Sequence, residues 1–280
     1  MPLRLDLNDR SLIKKCWKRM FWSKSVSKKS RSKGIDGETI KDFYKSERKS
    51  IDEIFDALKQ NTYKLNALEG FAVKKENKVD YRLITAATVR DRIVHKSILC
   101  LINKGLYPYI DTGVSYCGVK EDILSKNADK DVLNTKTAIR KLIDHVENKN
   151  YYFFKSDIKA FYDNVPKRRL YNLIKRLSNE ILRDESLNDF IHGVIFFKLG
   201  NKKQILQENK VGLPNRYRGV SQGSALSQFF ANIYLRDFDV KMKKIYGDRF
   251  IRYIDDFIVI CSGSMNMELS FSFELKFLYR

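Results

Sequence analysis

Cysteine is scarce and scattered. The four residues, Cys16, Cys100, Cys117 and Cys261, make no C-x-x-C pair and have no histidine pair beside them. That spacing argues against a zinc site and a disulfide framework, and it fits a reducing cytosol. Long apolar runs are missing too. No stretch approaches the roughly 20 residues of a membrane span. The opening residues, MPLRLDLNDRSLIKKCWKRMFW, hold no uninterrupted apolar segment of the kind a signal peptide needs. The expectation is a cytoplasmic protein with no membrane partner. No internal repeat is present, so 280 residues should make one large domain or two small ones.

Acidic residues are the remaining shortage. Asp and Glu number 34 against 54 Lys and Arg, a formal net charge of +20. Such an excess is the usual footprint of a nucleic-acid binder, ahead of a solubility device or a membrane-surface preference. With 43% hydrophobic and 12% aromatic residues, there is enough apolar material for a packed core.

Along the chain, residues 23–33 (SKSVSKKSRSK) read as a basic loop able to lie on phosphates. Gly34 and Gly37 mark a turn. Residues 50–60 read as a helix, with Ile51, Ile54, Phe55 and Leu58 on one face and a Ser50/Glu53 capping box. Residues 71–85 read as strand, polar turn, strand. Helices are expected over 91–101 and 137–149. Residues 151–154 (YYFF) are apolar on both faces, as in a central strand. A helix should start at Pro166, residues 200–215 should be a polar loop, and a long helix should run from Ser221 to Gly247. Residues 250–260 read as a hairpin.

That hairpin, RYIDDFIVI, places Asp255 and Asp256 side by side between aromatic and β-branched flanks. Their mutual repulsion calls for a neutraliser, and a divalent cation is the simplest. Magnesium takes one or two carboxylates and completes its shell with water and substrate phosphates. A nucleotidyl transferase needs two such ions, about 3.5–4 Å apart, and hence a carboxylate from a second segment. Asp157, at the end of the YYFFKSD strand, is the candidate.

Together these segments resemble a family. YIDD on a hairpin, DIKAFYDNV after a strand and GVSQGSALSQFFANIYL opening a helix are similar to three successive palm motifs of reverse transcriptases, in that family's order. GIDGETIKDF and YRLITAATVRDRIVHKSIL resemble the fingers motifs of the bacterial, group II intron-like members. The resemblance runs from about Gly34 to Ile260. It implies an α+β fold, a right-hand polymerase palm of antiparallel sheet backed by helices, with fingers. The N-terminal extension and fingers would occupy 1–150 and the palm 151–263, with a second fingers contribution at about 166–215 and an irregular tail at 264–280.

The resemblance also implies roles. Asp157 and Asp255 would be the principal ligands of two Mg2+ ions, or of Mn2+ in their place, with Asp256 in support and the Ile158 carbonyl as a further ligand. Tyr162 would be the aromatic gate that selects dNTPs. Arg82 and one of Lys74 and Lys75 would hold the triphosphate. Gln222 and Gly223 would lie under the nascent base pair. The implied activity is RNA-directed DNA synthesis from a DNA or RNA primer, in a mobile intron or in phage defence.

There are departures. Ser221-Gln222-Gly223 stands where Pro-Gln-Gly is common, Ala225 and Gln228 where prolines are frequent, and Ile254 where many members have alanine. Residues 264–280 resemble none of the palm, primer-grip or thumb segments that follow the hairpin in the family. The expectation is therefore a palm and fingers with the thumb missing, either a thumb-dependent remnant that mainly binds nucleic acid or an enzyme completed by a protein or chain supplying that element. A template-independent or protein-primed defence DNA polymerase is the other enzymatic alternative.

Overall fold

Helix formation begins where Asp9 can cap it. In the computed structural model, which describes residues 9–75, 79–110, 113–116, 135–146, 152–182, 185 and 187–261, the Asp9 carboxylate accepts from the Ser11 N–H at 2.7 Å and α1 runs over Arg10–Trp22. Ile13, Cys16 and Trp17 share its buried face. Next come α2 (Val26–Arg31), α3 (Ile40–Lys45) and α4 (Glu47–Lys59). An antiparallel hairpin, β1 (Glu69–Lys74) and β2 (Tyr81–Ala86), leads into α5 (Val89–Ile110). α5 is sheathed by protein along its length, with Ile93, Val94, Ile98, Ile102 and Leu106 all buried.

After α6 (Thr135–Val146) the chain makes β3 (Tyr152–Asp157), α7 (Phe161–Asn164), α8 (Lys167–Leu177), α9 (Asn188–Ile195) and α10 (Lys202–Glu208). The long α11 (Ser227–Tyr246) then delivers the chain to β4 (Phe250–Tyr253) and β5 (Asp256–Cys261). The last three strands form one antiparallel sheet in the order β3-β5-β4. One face of this sheet packs on α11, where Phe238 meets Phe250 at 5.7 Å and Phe257 at 5.8 Å between ring centroids. Ile251, on the other face, packs with Tyr116 and with Ala138 of α6. A single apolar cluster reaches from Ile13 through α5 and α11 to Cys261. Phe238 is 3% exposed, and its truncation to alanine should cost about 3–5 kcal/mol.

The α+β architecture is therefore as expected, with a helix-backed antiparallel sheet. Local differences have local causes. Residues 23–33 hold a short helix rather than only a loop: the Ser25 hydroxyl caps α2 at the Lys28 N–H, and the Lys29 ammonium sits 3.8 Å from the Phe21 ring centroid. α4 starts before Ser50, so no capping box forms there. Ser50 is buried and its hydroxyl lies 2.9 Å from that of Ser46. The capping box belongs instead to Thr39 and Asp42 on α3.

Residues 200–215 include α10, anchored by buried Ile205 and by Asn201, whose amide bonds both the N–H and the C=O of Gly70. α11 starts at Ser227 rather than Ser221, because Gly223 has φ +137°, which no helix accommodates. Ile139 and Ile143 of α6 are 50% and 52% exposed, so the expected periodicity marks the helix but not a buried stripe. β3 is an edge strand among the described residues, not the central one. β5 takes the centre because its two sides pair with β3 and β4, which leaves Tyr152 and Phe153 more than half exposed. Residues 262–280 lie outside the described residues.

Candidate active site

The antiparallel register brings the acidic residues together. Asp157, the last residue of β3, stands directly opposite Asp256, the first of β5. Asp256 in turn pairs with Tyr253, so Ile254 and Asp255 form a two-residue turn. The Ile158 N–H donates to the Asp255 carbonyl at 3.0 Å, which ties that turn to the end of β3. Like charges directly across a ladder destabilise a sheet. The Asp255 carboxyl is accordingly held above its ordinary range, first by burial, then by Asp256 and Asp157, with Arg82 pulling the other way.

Both approaches to this acidic edge use uncommon backbone. Ala160, three residues after Asp157, has φ +49°, and Ile254, just before Asp255, has φ +57°. The first position of a two-residue hairpin turn favours glycine when φ is positive. A β-branched residue there carries strain of about 1–3 kcal/mol, the kind that collects at functional sites.

A second feature lies beside the fingers-like hairpin. A cavity of about 430 Å³ is bounded by β2 and the segment before α11. Lys75, Arg82, Lys210 and Arg218 reach it, along with Gln222 and one carboxylate, Asp163. Burial raises the Asp163 pKa while Lys75 opposes the rise. Four cations around one acid suit a polyanion. Of the two candidate lysines, Lys75 lines this cavity; Lys74 instead lies 5.9 Å from the Tyr81 ring centroid.

The other expected site residues fall around these two features. Tyr162 is half-buried beside Phe161, with ring centroids 5.4 Å apart, and its carbonyl accepts from the Val220 N–H at 2.8 Å. The Gln222 carbonyl accepts from the Thr85 N–H at 2.8 Å, tying the loop to β2. Gly223 is required by the chain itself: a Cβ there would collide with the Thr85 carbonyl oxygen. Lys210, Arg218 and Asp163 were not among the expected residues. Their only signal was their place in basic or aromatic runs. Arg252 was missed as well, although an arginine amid FI-x-YI is a visible anomaly; it is fully buried and paired with Asp239.

Among the described residues, no three His, Cys, Asp or Glu side chains converge as a ready-made metal cage. The donor set nonetheless fits magnesium. It offers hard carboxylate oxygens from two segments, and magnesium keeps several waters and takes the rest of its shell from substrate phosphates. The Ile158 carbonyl accepts from the Phe161 N–H at 3.1 Å and retains a second lone pair.

Residues 73–277 match the family model "Reverse transcriptase (RNA-dependent DNA polymerase)". The group II intron-encoded protein LtrA of Lactococcus lactis subsp. cremoris is 26% identical over 213 residues, 76% of this chain. The chain spans only 31% of LtrA. Among solved structures, a partial Cas6-RT-Cas1–Cas2 complex aligns at 19% identity and TM-score 0.42, over 91% of this chain and 39% of that one. Apo telomerase from Candida tropicalis, truncated from its C-terminal domain, aligns at 16% identity and TM-score 0.43, over 79% of this chain and 49% of that one. No helix among the described residues is long and apolar enough to cross a membrane.

Proposed function

The chain belongs to the reverse transcriptase family, and from that premise we propose that it is an RNA-directed DNA polymerase that adds dNTPs to a primer 3′ end. The observation that carries this reading is the register that sets Asp157 opposite Asp256 and one residue from Asp255, within electrostatic reach of Arg82 in the cationic cavity. Asp157 and Asp255 would hold two divalent ions, with Asp256 and the Ile158 carbonyl in support. When bound, Mg2+, or Mn2+ in its place, supplies activation of the 3′ oxygen and charge neutralisation at the leaving pyrophosphate.

The chain's own residues do the positioning. Lys75 and Arg82 clamp the triphosphate, the arginine by its planar fork and the lysine as a point charge. The Tyr162 ring occupies the space a ribose 2′-OH would need. Gln222 and Gly223 carry the nascent pair, with Thr85 fixing their backbone. Catalysis is then orientation plus fixed charge. The net charge of +20 holds RNA template and DNA or RNA primer, so binding should weaken steeply with salt. The expected setting is the cytoplasm, in intron mobility or phage defence, and the similarity to an intron-encoded protein supports the former.

Primer extension tests this reading. The chain is given an RNA template, an annealed DNA primer, dNTPs and magnesium, with Asp255→Asn beside it. A templated ladder from the parent alone is the expected result. Equal incorporation by both would overturn the metal assignment. Salt-sensitive RNA binding without extension would identify a nucleic-acid-binding protein, and untemplated product a template-independent polymerase.

A further inference from the structure

The turn that carries Asp255 is attached to a buried charge network that the proposed chemistry leaves unused. Arg252, in β4, is 0% exposed. Its Nε donates to Asp239 Oδ1 at 2.5 Å, and its Nη2 donates to Asp239 Oδ2 at 2.5 Å and to Asn232 Oδ1 at 3.0 Å. Both acceptors belong to α11. The Asn232 oxygen also accepts from the Ser115 hydroxyl at 2.8 Å. The Arg252 backbone is held as well: its N–H donates to the Val114 carbonyl at 2.9 Å, and its carbonyl accepts from the Tyr116 N–H at 2.8 Å. The plane of the guanidinium is therefore set by α11 and the 114–116 segment.

The remaining nitrogen points elsewhere. Nη1 donates to the Ile254 carbonyl at 2.7 Å. Asp239 already balances the arginine's charge, so this bond is not needed for neutrality. It is aimed at the residue whose φ is +57°. The next carbonyl, that of Asp255, is held by the Ile158 N–H. Both carbonyls of the two-residue turn are thus tied, one to α11 through Arg252 and one to the end of β3.

We infer that Arg252 is a positioning residue for nucleotidyl transfer: clamped by Asp239 and Asn232, it grips the Ile254 carbonyl, maintains the strained turn and so fixes the direction of the Asp255 carboxylate. The inference rests on the reading that Asp255 serves the transfer site. Lysine cannot replace the fork, since a single ammonium cannot span a carboxylate and a carbonyl in one plane. An apolar pair in place of Arg252 and Asp239 would preserve the packing while removing the grip.

The test uses Arg252→Lys and the double variant Arg252→Met/Asp239→Leu. The first readout is amide hydrogen exchange over residues 253–256 in the chain without metal or nucleic acid. Exchange there should quicken about tenfold or more, the scale of losing a charge-assisted hydrogen bond, while α11 keeps its rates. Primer extension should show kcat down about a hundredfold, as for a misplaced catalytic group, with KM for dNTP unchanged. Adding Ile254→Gly to Arg252→Lys should return part of kcat, because glycine holds a positive φ without strain.

Unchanged exchange at 253–256 in a variant with intact α11 would overturn the inference, and so would the absence of any rescue by Ile254→Gly. If the parent itself fails to extend a primer, the polymerase reading fails alone, and the exchange rates still decide whether Arg252 holds the turn. Should the double variant not fold, Arg252→Lys decides.

Discussion

Two aspartates sixteen residues apart are treated in opposite ways. Asp239, on α11, is fully buried and accepts from both Nε and Nη2 of Arg252. Asp255, in the hairpin turn, is half-buried beside Asp256 and Asp157, and among the described residues none of these three makes an ion pair with a lysine or arginine. The first charge is settled within the protein. The second is left for something outside it. A buried pair of good geometry tolerates desolvation. A cluster of like charges that no protein cation pairs directly costs stability that a bound ligand can return.

The comparison breaks most visibly in stability. Asp239→Asn leaves Arg252 buried without its counter-charge and should destabilise the fold by about 3–5 kcal/mol. Asp255→Asn should be neutral or stabilising in metal-free buffer near neutral pH. Its folded pKa lies above the ordinary value, so the ionised form opposes folding and stability falls as pH rises through that pKa. Denaturant melts of the two variants against the parent would show it, and a large loss for Asp255→Asn would mean that residue is structural.

His95 sharpens the same contrast from the basic side. It is 3% exposed on α5, one turn after Asp91 and 3.3 Å from the Ser224 hydroxyl. Burial takes its pKa from 6.5 to about 4, with Asp91 pulling the other way. The unfolded chain then holds the proton more tightly, so stability should fall as pH drops from about 6.5 towards about 4, by up to about 3 kcal/mol. His95→Gln should flatten that slope in a pH series of denaturant melts.

Smaller effects separate the cavity residues. Lys75→Ala should raise KM for dNTP about tenfold, the scale of one lost charge-assisted contact. Lys74→Ala, whose ammonium lies over Tyr81 instead, should change it little. Steady-state kinetics on one primer-template compares them. Tyr162→Ala should increase rNTP use relative to dNTP; an unchanged ratio would reduce the ring to packing.

Much of the hairpin was legible because period-two alternation and turn residues act over a few positions. Its two strands, Phe250–Tyr253 and Asp256–Cys261, follow from their aromatic and β-branched runs, although the turn falls at Ile254-Asp255 rather than at the aspartate pair. The same applies to the strands around Lys75 and Arg82. What escaped the reading depended on partners distant in the chain. YYFF reads as central, yet its strand has a described neighbour on one side only. The closeness permitted by Gly223 is used by Thr85, 138 residues earlier, which no local pattern announces. Ser50 and Glu53 have the right spacing for a cap, but a helix that begins before them removes the unsatisfied donors a cap would serve. Arg252 was visible as a charge in an apolar strand, while its partner Asp239 looked like any polar residue on a helix.

The most direct measurement is Mn2+ binding by electron paramagnetic resonance, on the parent, Asp255→Asn and a folded Asp239→Asn, without nucleic acid. Binding that is lost in Asp255→Asn and kept in Asp239→Asn is the predicted result. Equal binding by the parent and Asp255→Asn would contradict the assignment of the acidic edge as the metal site.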